Sequence, residues 1–316
     1  MILPVHDKTH SDSGVALVVV LWFLVLLSVM ATHLSFSSRT EARISHNLFS
    51  AAQAGYAADA GVQWAIWRLS LPAQQQWLAD GGVHEVALAE ATVRVSLQDE
   101  NGKLNINSVG AAELLPLFAA AGVDETTASM LTDRILDWRD KDDLKRLNGA
   151  ENEDYIKAGL DYEIGDGLFR SLEQLQKVLG MEAWIYKRIE PALSTRSRFQ
   201  GVNPLVAPRL VLLSMPGATE ELVEQYIEQR RSDREAGLVA KGLELPLAQF
   251  IPVTTPGVYY TIETESRLRD GAGARQKLQL VRSGAGQQVR YKITEVIDLY
   301  EPEQPICPGQ ECPELR

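Results

Sequence analysis

The sequence predicts an α+β chain: one long N-terminal helix packed on an antiparallel sheet, with a large all-α domain inserted into that sheet. Three observations carry the prediction. An apolar run at residues 15–31 passes, with no proline, into a stretch whose apolar residues recur at three- and four-residue steps. Five segments alternate apolar and polar side chains, two of them before residue 100 and three after residue 258. Between them, residues 104–245 read as helix throughout.

The first element starts at Val15, where a short polar leader ends at Gly14. From Val15 to Ala31 the only polar side chain is Ser28, and no charge follows until Arg39. At ~1.5 Å per residue the run makes a helix of roughly 26 Å, enough for the hydrocarbon core of a bilayer. A cleaved secretory signal fits less well, because the leader sets one lysine, Lys8, against Asp7 and Asp12, and no Ala-x-Ala site follows the run. Ile44, Leu48, Ala51, Gly55, Ala58, Val62, Ile66 and Leu69 then mark one face of the same helix, which Pro72 stops. The helix is therefore expected over 15–70, half in lipid and half on a globular domain. Trp64 and Trp67 are expected to pack against the sheet, and Ala51, Gly55 and Ala58 to offer a small-residue face to neighbouring helices.

Residues 71–103 hold the first part of the sheet. His84–Leu88 and Ala91–Leu97 alternate as strands, and Asp99-Glu-Asn-Gly102 forms a turn. Residues 246–300 hold the second part, with strands at Tyr259–Arg267, Gln276–Arg282 and Val289–Leu299 joined at Gly271-Ala-Gly273 and Gly284-Ala-Gly286. The long helix supplies the cover that the sheet's apolar face requires.

The inserted domain carries a weak internal repeat. One copy runs from Asn105 to Trp138 and the other from Val202 to Arg230, each with an asparagine before a short helix, a turn and a second helix. Both resemble helix-hairpin-helix or SAM-like units. In the nucleic-acid binders of that group, glycine amides in the hairpin meet phosphate. Here the second copy keeps Pro216-Gly217 but has Thr219 where a second glycine belongs, the first lacks Pro-Gly, and Glu220, Glu221 and Glu224 stand close by. The repeat therefore reads as protein–protein packing. A membrane-anchored DNA-uptake or competence-type protein using these hairpins is the alternative.

Between the copies lies the most chemical segment of the chain. From Asp137 to Asp166 there are ten acidic and five basic residues. Asp140, Asp142 and Asp143 follow a helix end, then Asn148-Gly149, then Glu151, Glu153 and Asp154. Calcium takes six to eight oxygen ligands in a flexible loop, and acids grouped about a glycine turn suit it. The spacing is not that of an EF-hand. A solvated acidic loop neutralised by Arg139, Lys141, Lys145 and Arg146 accounts for the pattern equally well.

Composition narrows the function classes. Across 316 residues the net charge is -11 and the pI about 5.1, which argues against a nucleic-acid backbone as partner. Cys307 and Cys312 enclose a short Pro-Gly ring suited to a disulfide in an oxidising compartment, and a metal there would need more ligands than the tail provides. No Gly-x-Ser-x-Gly, P-loop or His-Glu-x-x-His stands in the chain, so it is not expected to be an enzyme.

The junction of Gly14 and Val15, followed at once by an apolar helix, resembles the start of type IV pilin-like proteins, which a prepilin peptidase cuts after the glycine. The resemblance implies a leader at 1–14, a mature chain methylated at Val15 and a pilin-like fold. Most such subunits carry glutamate at the fifth mature position, thought to pair with the N-terminal amine of a neighbouring subunit; here Val19 stands there. A subunit without that carboxylate suits the end of a filament. Together with Gly102-Lys-Leu-Asn-Ile-Asn-Ser108, Asp137-Trp-Arg-Asp140, Asn148-Gly-Ala-Glu151 and Ser171-Leu-Glu-Gln-Leu175, the start resembles the minor pseudopilin K family of type II secretion.

That family implies a calcium-binding helical insertion, with ligands drawn from Asp137, Asp140, Asp142, Asp143, Glu151 and Asp154; Lys141 within the acidic run departs from its pattern. It also implies a place at the tip of a periplasmic pseudopilus, with the minor pseudopilins I and J, H beneath, and through them the major pseudopilin. Exoproteins or the secretin would be met there. The chain would sit in the bacterial inner membrane by a single pass, with its globular part in the periplasm and a C-terminal tail at 301–316.

Overall fold

The computed structural model describes residues 13–197, 201–238, 256–284 and 289–299. The chain divides between Gln53 and Ala54 into two units, with helix α1 (Ser13–Ser70) running through both. In the first unit the early part of α1 exposes an apolar surface, with Leu17, Trp22, Phe23, Leu26, Met30 and Leu34 all exposed, before the charges at Arg39, Glu41 and Arg43. Thr32 and Thr40 turn their hydroxyls back onto Ser28 O and Phe36 O, at 2.7 and 3.0 Å, which satisfies them within the helix. Among the described residues this is the one helix long and apolar enough to cross a membrane.

The second unit holds a five-stranded antiparallel sheet in the order β1-β2-β5-β6-β7, from β1 (Asp80–Ala87), β2 (Ala91–Asp99), β5 (Tyr259–Leu268), β6 (Gly273–Ser283) and β7 (Arg290–Leu299). The alternating segments of the sequence are all strands, each within a few residues of its expected bounds. Residues 54–69 of α1 cover one face. Ala54, Ala58, Val62, Ala65 and Leu69 are buried, and a Cβ on Gly61 would stand 2.6 Å from Val93 Cγ1, so only glycine permits this close approach. Ser266 Oγ donates to Ala54 O at one end of the sheet, and Tyr291 Oη to Leu69 O at the other.

Two expectations about this helix are corrected. Ala58 is wholly buried, so the small-residue face is used inside the chain and does not present Ala58 to a neighbour. Trp64 and Trp67 do not pack against the sheet. They are 39 % and 48 % exposed and meet each other edge-on at 5.1 Å, while the Arg68 guanidinium lies over Trp67 and Trp77. The reason is helical phase: once 58, 62, 65 and 69 face inward, 64 and 67 turn away.

The insertion leaves the sheet at Asp99 and returns at Tyr259, on hydrogen-bonded neighbours. It is not all helix. β3 (Leu104–Asn105) and β4 (Leu193–Ser194) form a two-residue parallel pair that ties its start to its middle. Around them stand α2 (Ala111–Ala120), α3 (Glu125–Arg139), α4 (Asn152–Lys157), α5 (Ala183–Ile189), α6 (Arg209–Leu213) and α7 (Glu220–Glu235) over a core that includes Phe118, Leu131, Ile135 and Tyr155.

The repeat is visible as the hairpins α2–α3 and α6–α7. Each turns through a left-handed glycine, Gly122 (φ 79°) or Gly217 (φ 78°), and each second helix is capped by a side chain, Asp124 to Thr127 N and Thr219 to Leu222 N.

Buried polar groups fasten the insertion to the sheet. Arg230 on α7 meets Asp80 on β1 at 2.8 Å, both nearly sealed from solvent. Lys277 on β6 bridges Glu263 on β5 and Glu190 after α5, at 3.1 and 3.2 Å. Asp99 accepts Asn101 N and Gly257 N, at 2.9 and 2.7 Å, and so clasps the departing chain to the returning one. Burial pushes its carboxyl up to about 6.

Candidate metal centre

The acidic segment is organised by Asp137, in the last turn of α3. Its side chain is fully buried. Oδ2 accepts the backbone N–H groups of Arg146 and Ala150 at 3.3 and 3.0 Å, folding the chain into a tight turn around the carboxylate. Gly149 lies so close that a Cβ there would run into Asp137 Oδ2, which explains the Asn-Gly-Ala spelling of the turn.

The Arg146 guanidinium closes the arrangement from outside. Its Nη1 donates to Asp137 Oδ1 and, at 2.6 Å, to Asp140 Oδ2. Trp138 stacks on Phe169 with ring centroids 5.9 Å apart and meets Tyr155 at the same separation, fixing the end of α3 against α4. Arg139 is directed elsewhere, to Ile106 O and Val109 O.

Glu151 stands at the start of α4, 9 % exposed. Burial, and then the charges of Asp137, Asp140, Asp143 and Asp166, push its carboxyl up to about 7. Glu151 Oε1 and Asp140 Oδ1 are both buried with no hydrogen-bond partner. Orphaned carboxylate oxygens are of the kind that a hard divalent cation satisfies. Among the described residues, however, no three acidic, histidine or cysteine side chains converge tightly enough to hold a metal ion.

The other candidate ligands are engaged locally or stand apart. Asp154 accepts Glu151 N at 3.1 Å and pairs with Lys145 at 3.0 Å; the backbone bond and then Lys145 hold its carboxyl below the usual range. Asp142 is exposed and accepts Leu144 N at 2.9 Å. Asp143 is exposed and acts on Glu151 through its charge. Asp166 is a participant that spacing did not single out. It has a left-handed backbone (φ 39°) between Gly165 and Gly167, and that flanking pair was the signal available for it.

Gly14 and Val15 lie in the first turn of α1, and Val19 is half-exposed on the same helix. Cys307 and Cys312 lie outside the described residues.

Comparison with known proteins agrees with this architecture. A family model described as type II secretion system protein K matches residues 93–197, and one for the PilX N-terminus matches residues 13–63. Type II secretion system protein K of Klebsiella pneumoniae is 26 % identical over 267 residues, 76 % of this chain and 81 % of that one. The protein of the same name from Pseudomonas aeruginosa is 25 % identical over 247 residues, 68 % of this chain and 72 % of that one. Among solved structures, a chain of the GspK-GspI-GspJ complex of the enterotoxigenic Escherichia coli Type 2 Secretion System aligns with TM-score 0.55 and 16 % identity, over 83 % of this chain and all of that one. The pilin-like helix and sheet, the helical insertion and the sequence matches across both point the same way: the chain is similar to type II secretion system protein K over most of its length.

Proposed function

We propose that this chain is the subunit that caps the tip of a periplasmic pseudopilus and initiates its assembly, for export of folded proteins across the outer membrane. The observation that carries the reading is the placement of the insertion. It leaves the sheet beside Asp80, Gln98 and Tyr260, at the end where α1 terminates, with Tyr291 Oη on Leu69 O. A bulky domain at this end of the sheet obstructs a further subunit from stacking there. Val19 in place of a carboxylate removes the pairing with a subunit above.

The minor pseudopilins I and J are the proposed direct partners, with H beneath and the major pseudopilin below them. A relative of this fold is described in a complex with GspI and GspJ. Cleavage after Gly14 by a prepilin peptidase and methylation of Val15 complete the reading, as do a single inner-membrane pass and a periplasmic globular part. The chain acts by assembly and not by catalysis. The acidic site takes calcium, which would stabilise the loop from Asp137 to Glu151, and chelation would lower the melting temperature of the full chain.

The DNA-uptake alternative finds no support in the hairpins: Arg209, the cation nearest the second turn, is paired with Glu224 and Glu220 at 2.5 and 3.4 Å.

The deciding experiment is co-purification from detergent extracts of the full chain with I and J, each present and omitted in turn. A ternary assembly that collapses to weaker pairs when this chain is omitted supports the reading. An I–J assembly that forms without this chain and does not take it up overturns it. Intact mass of the extracted protein tests the processing, with a chain beginning at Val15 expected.

A further inference from the structure

We propose that the turn after α3 is a docking finger: Leu144 and Leu147 are held out from the insertion to enter an apolar recess, rimmed by lysine and arginine, on a second protein. The inference goes beyond the capping role and depends neither on it nor on any metal.

Leu144 is 77 % exposed and Leu147 94 %, and neither joins the core of the insertion. One exposed leucine is ordinary, but these two stand three residues apart on a turn whose flanking residues are fastened. Asp142 Oδ1 accepts Leu144 N at 2.9 Å. Arg146 is bound to Asp137 through both its backbone N–H and its guanidinium. Asn148 N donates to Asp133 at 3.0 Å, and the Asn148 amide donates to Ser129 Oγ at 3.3 Å. The turn therefore has one shape before any partner arrives, so binding does not have to order it. Lys145, between the leucines, reaches Asp154 at 3.0 Å and sets the turn against α4, where Ile156 is 70 % exposed.

The surrounding charge names the partner's chemistry. Between residues 141 and 163 the cations Lys145, Arg146 and Lys157 are taken up in ion pairs, with Asp154, with Asp137 and Asp140, and with Glu153. The exposed charges of this stretch that stand outside ion pairs among the described residues are Lys141 against Asp142, Asp143, Asp161 and Glu163. An apolar tip with an acidic surround is complementary to a recess lined by apolar side chains and rimmed by lysine and arginine. The same acids are repelled by the anionic headgroups of a lipid surface. A second copy of this chain meeting the first tip to tip would bring like charges together.

The test is photo-cross-linking of the full chain in the bacterium that makes it, with benzoylphenylalanine placed at Ile156 on α4, and mass spectrometry of the adduct and of the partner residues it joins. The wild-type turn is compared with L144S/L147S, which removes the apolar tip, and with D143K/D161K, which reverses the exposed charge. The wild type is expected to give one protein adduct, at an apolar site flanked by lysine or arginine. Its yield should fall about tenfold or more in either variant, because each leucine carries a burial worth at least that factor and like charges oppose docking. Thermal melts of L144S/L147S and the wild type should coincide, since the leucines lie outside the core.

An adduct whose yield is the same in all three proteins overturns the proposal, as does an adduct to lipid, an adduct only to a second copy of this chain, or none. If L144S/L147S melts lower than the wild type, D143K/D161K decides, and an unchanged adduct there refutes the charged rim. None of these outcomes bears on the assembly with I and J, which the co-purification tests by itself.

Discussion

Asp80→Ala should be among the most damaging single changes in the second unit. Asp80 meets Arg230 at 2.8 Å, and both side chains are almost completely withdrawn from water. Truncating the aspartate leaves a guanidinium with no carboxylate of its own, held by Pro204 O and Ala207 O, each at 2.9 Å, and by the face of Tyr226. Breaking a buried pair from one side costs about 3–5 kcal/mol. At roughly 2–4 °C per kcal/mol for a domain of this size, the melting temperature should fall by about 6–20 °C.

Arg230→Met should cost less, because Asp80 retains Arg231 at 3.3 Å and Gly82 N at 2.9 Å. The double variant Asp80→Ala with Arg230→Met removes both charges. It should recover most of the loss, leaving about 1–2 kcal/mol. Thermal melts of the four proteins in detergent close the cycle. A fall under ~1 kcal/mol for Asp80→Ala, or simple additivity in the double variant, would refute the view that this pair locks α7 to β1.

Other outcomes follow from the same geometry. Asp99 titrates near 6 when folded against an ordinary value of 3.8, so the folded chain binds its proton more readily than the unfolded one. Its contribution therefore opposes folding above pH 6 by about 3 kcal/mol and disappears as the pH falls towards 4. Asp99→Asn should flatten that part of the melting-temperature profile; an unchanged slope would place the proton elsewhere.

Gly61→Ala should cost about 1–3 kcal/mol by overpacking against Val93 Cγ1, read as a lower melting temperature. Val19→Glu should compromise assembly and secretion in a complementation assay, and indifference would mean that the missing carboxylate does not set the tip position. Glu151→Gln should abolish the calcium-dependent rise in melting temperature, and a retained rise would remove Glu151 from the site.

Periodicity made much of the fold legible. A helix uninterrupted to Pro72 and five alternating strands leave few other arrangements, and the strand bounds agree closely. Which face of α1 would be buried was less legible. A small-residue stripe suits a neighbouring helix and a sheet equally, and here Ala58 and Gly61 are used to bring the sheet close. The β3–β4 pair left no trace, because two residues at 104 and two at 193 carry no local period.

In the acidic segment, composition pointed to Asp140 and Glu151 and the family resemblance added Asp137; in the structure Arg146 pairs with Asp137 and Asp140, and the charges of both act on Glu151. Asp142 and Asp154 are held by local backbone bonds, a competition that spacing does not display. That Arg146 folds back across nine residues onto Asp137 depends on the turn at Gly149, a three-dimensional fact.

The insertion departs from β2 and returns on β5, two strands already zipped to each other, with Asp99 gripping both ends. Mechanically it is a bight tied off at its neck. A pull or push delivered along α1 passes into the sheet through the Gly61 crossing and the ladder between β2 and β5, and bypasses the insertion's backbone. Strain that would part β2 from β5 is met first by their ladder and by the Asp99 clasp, before it reaches the insertion's backbone.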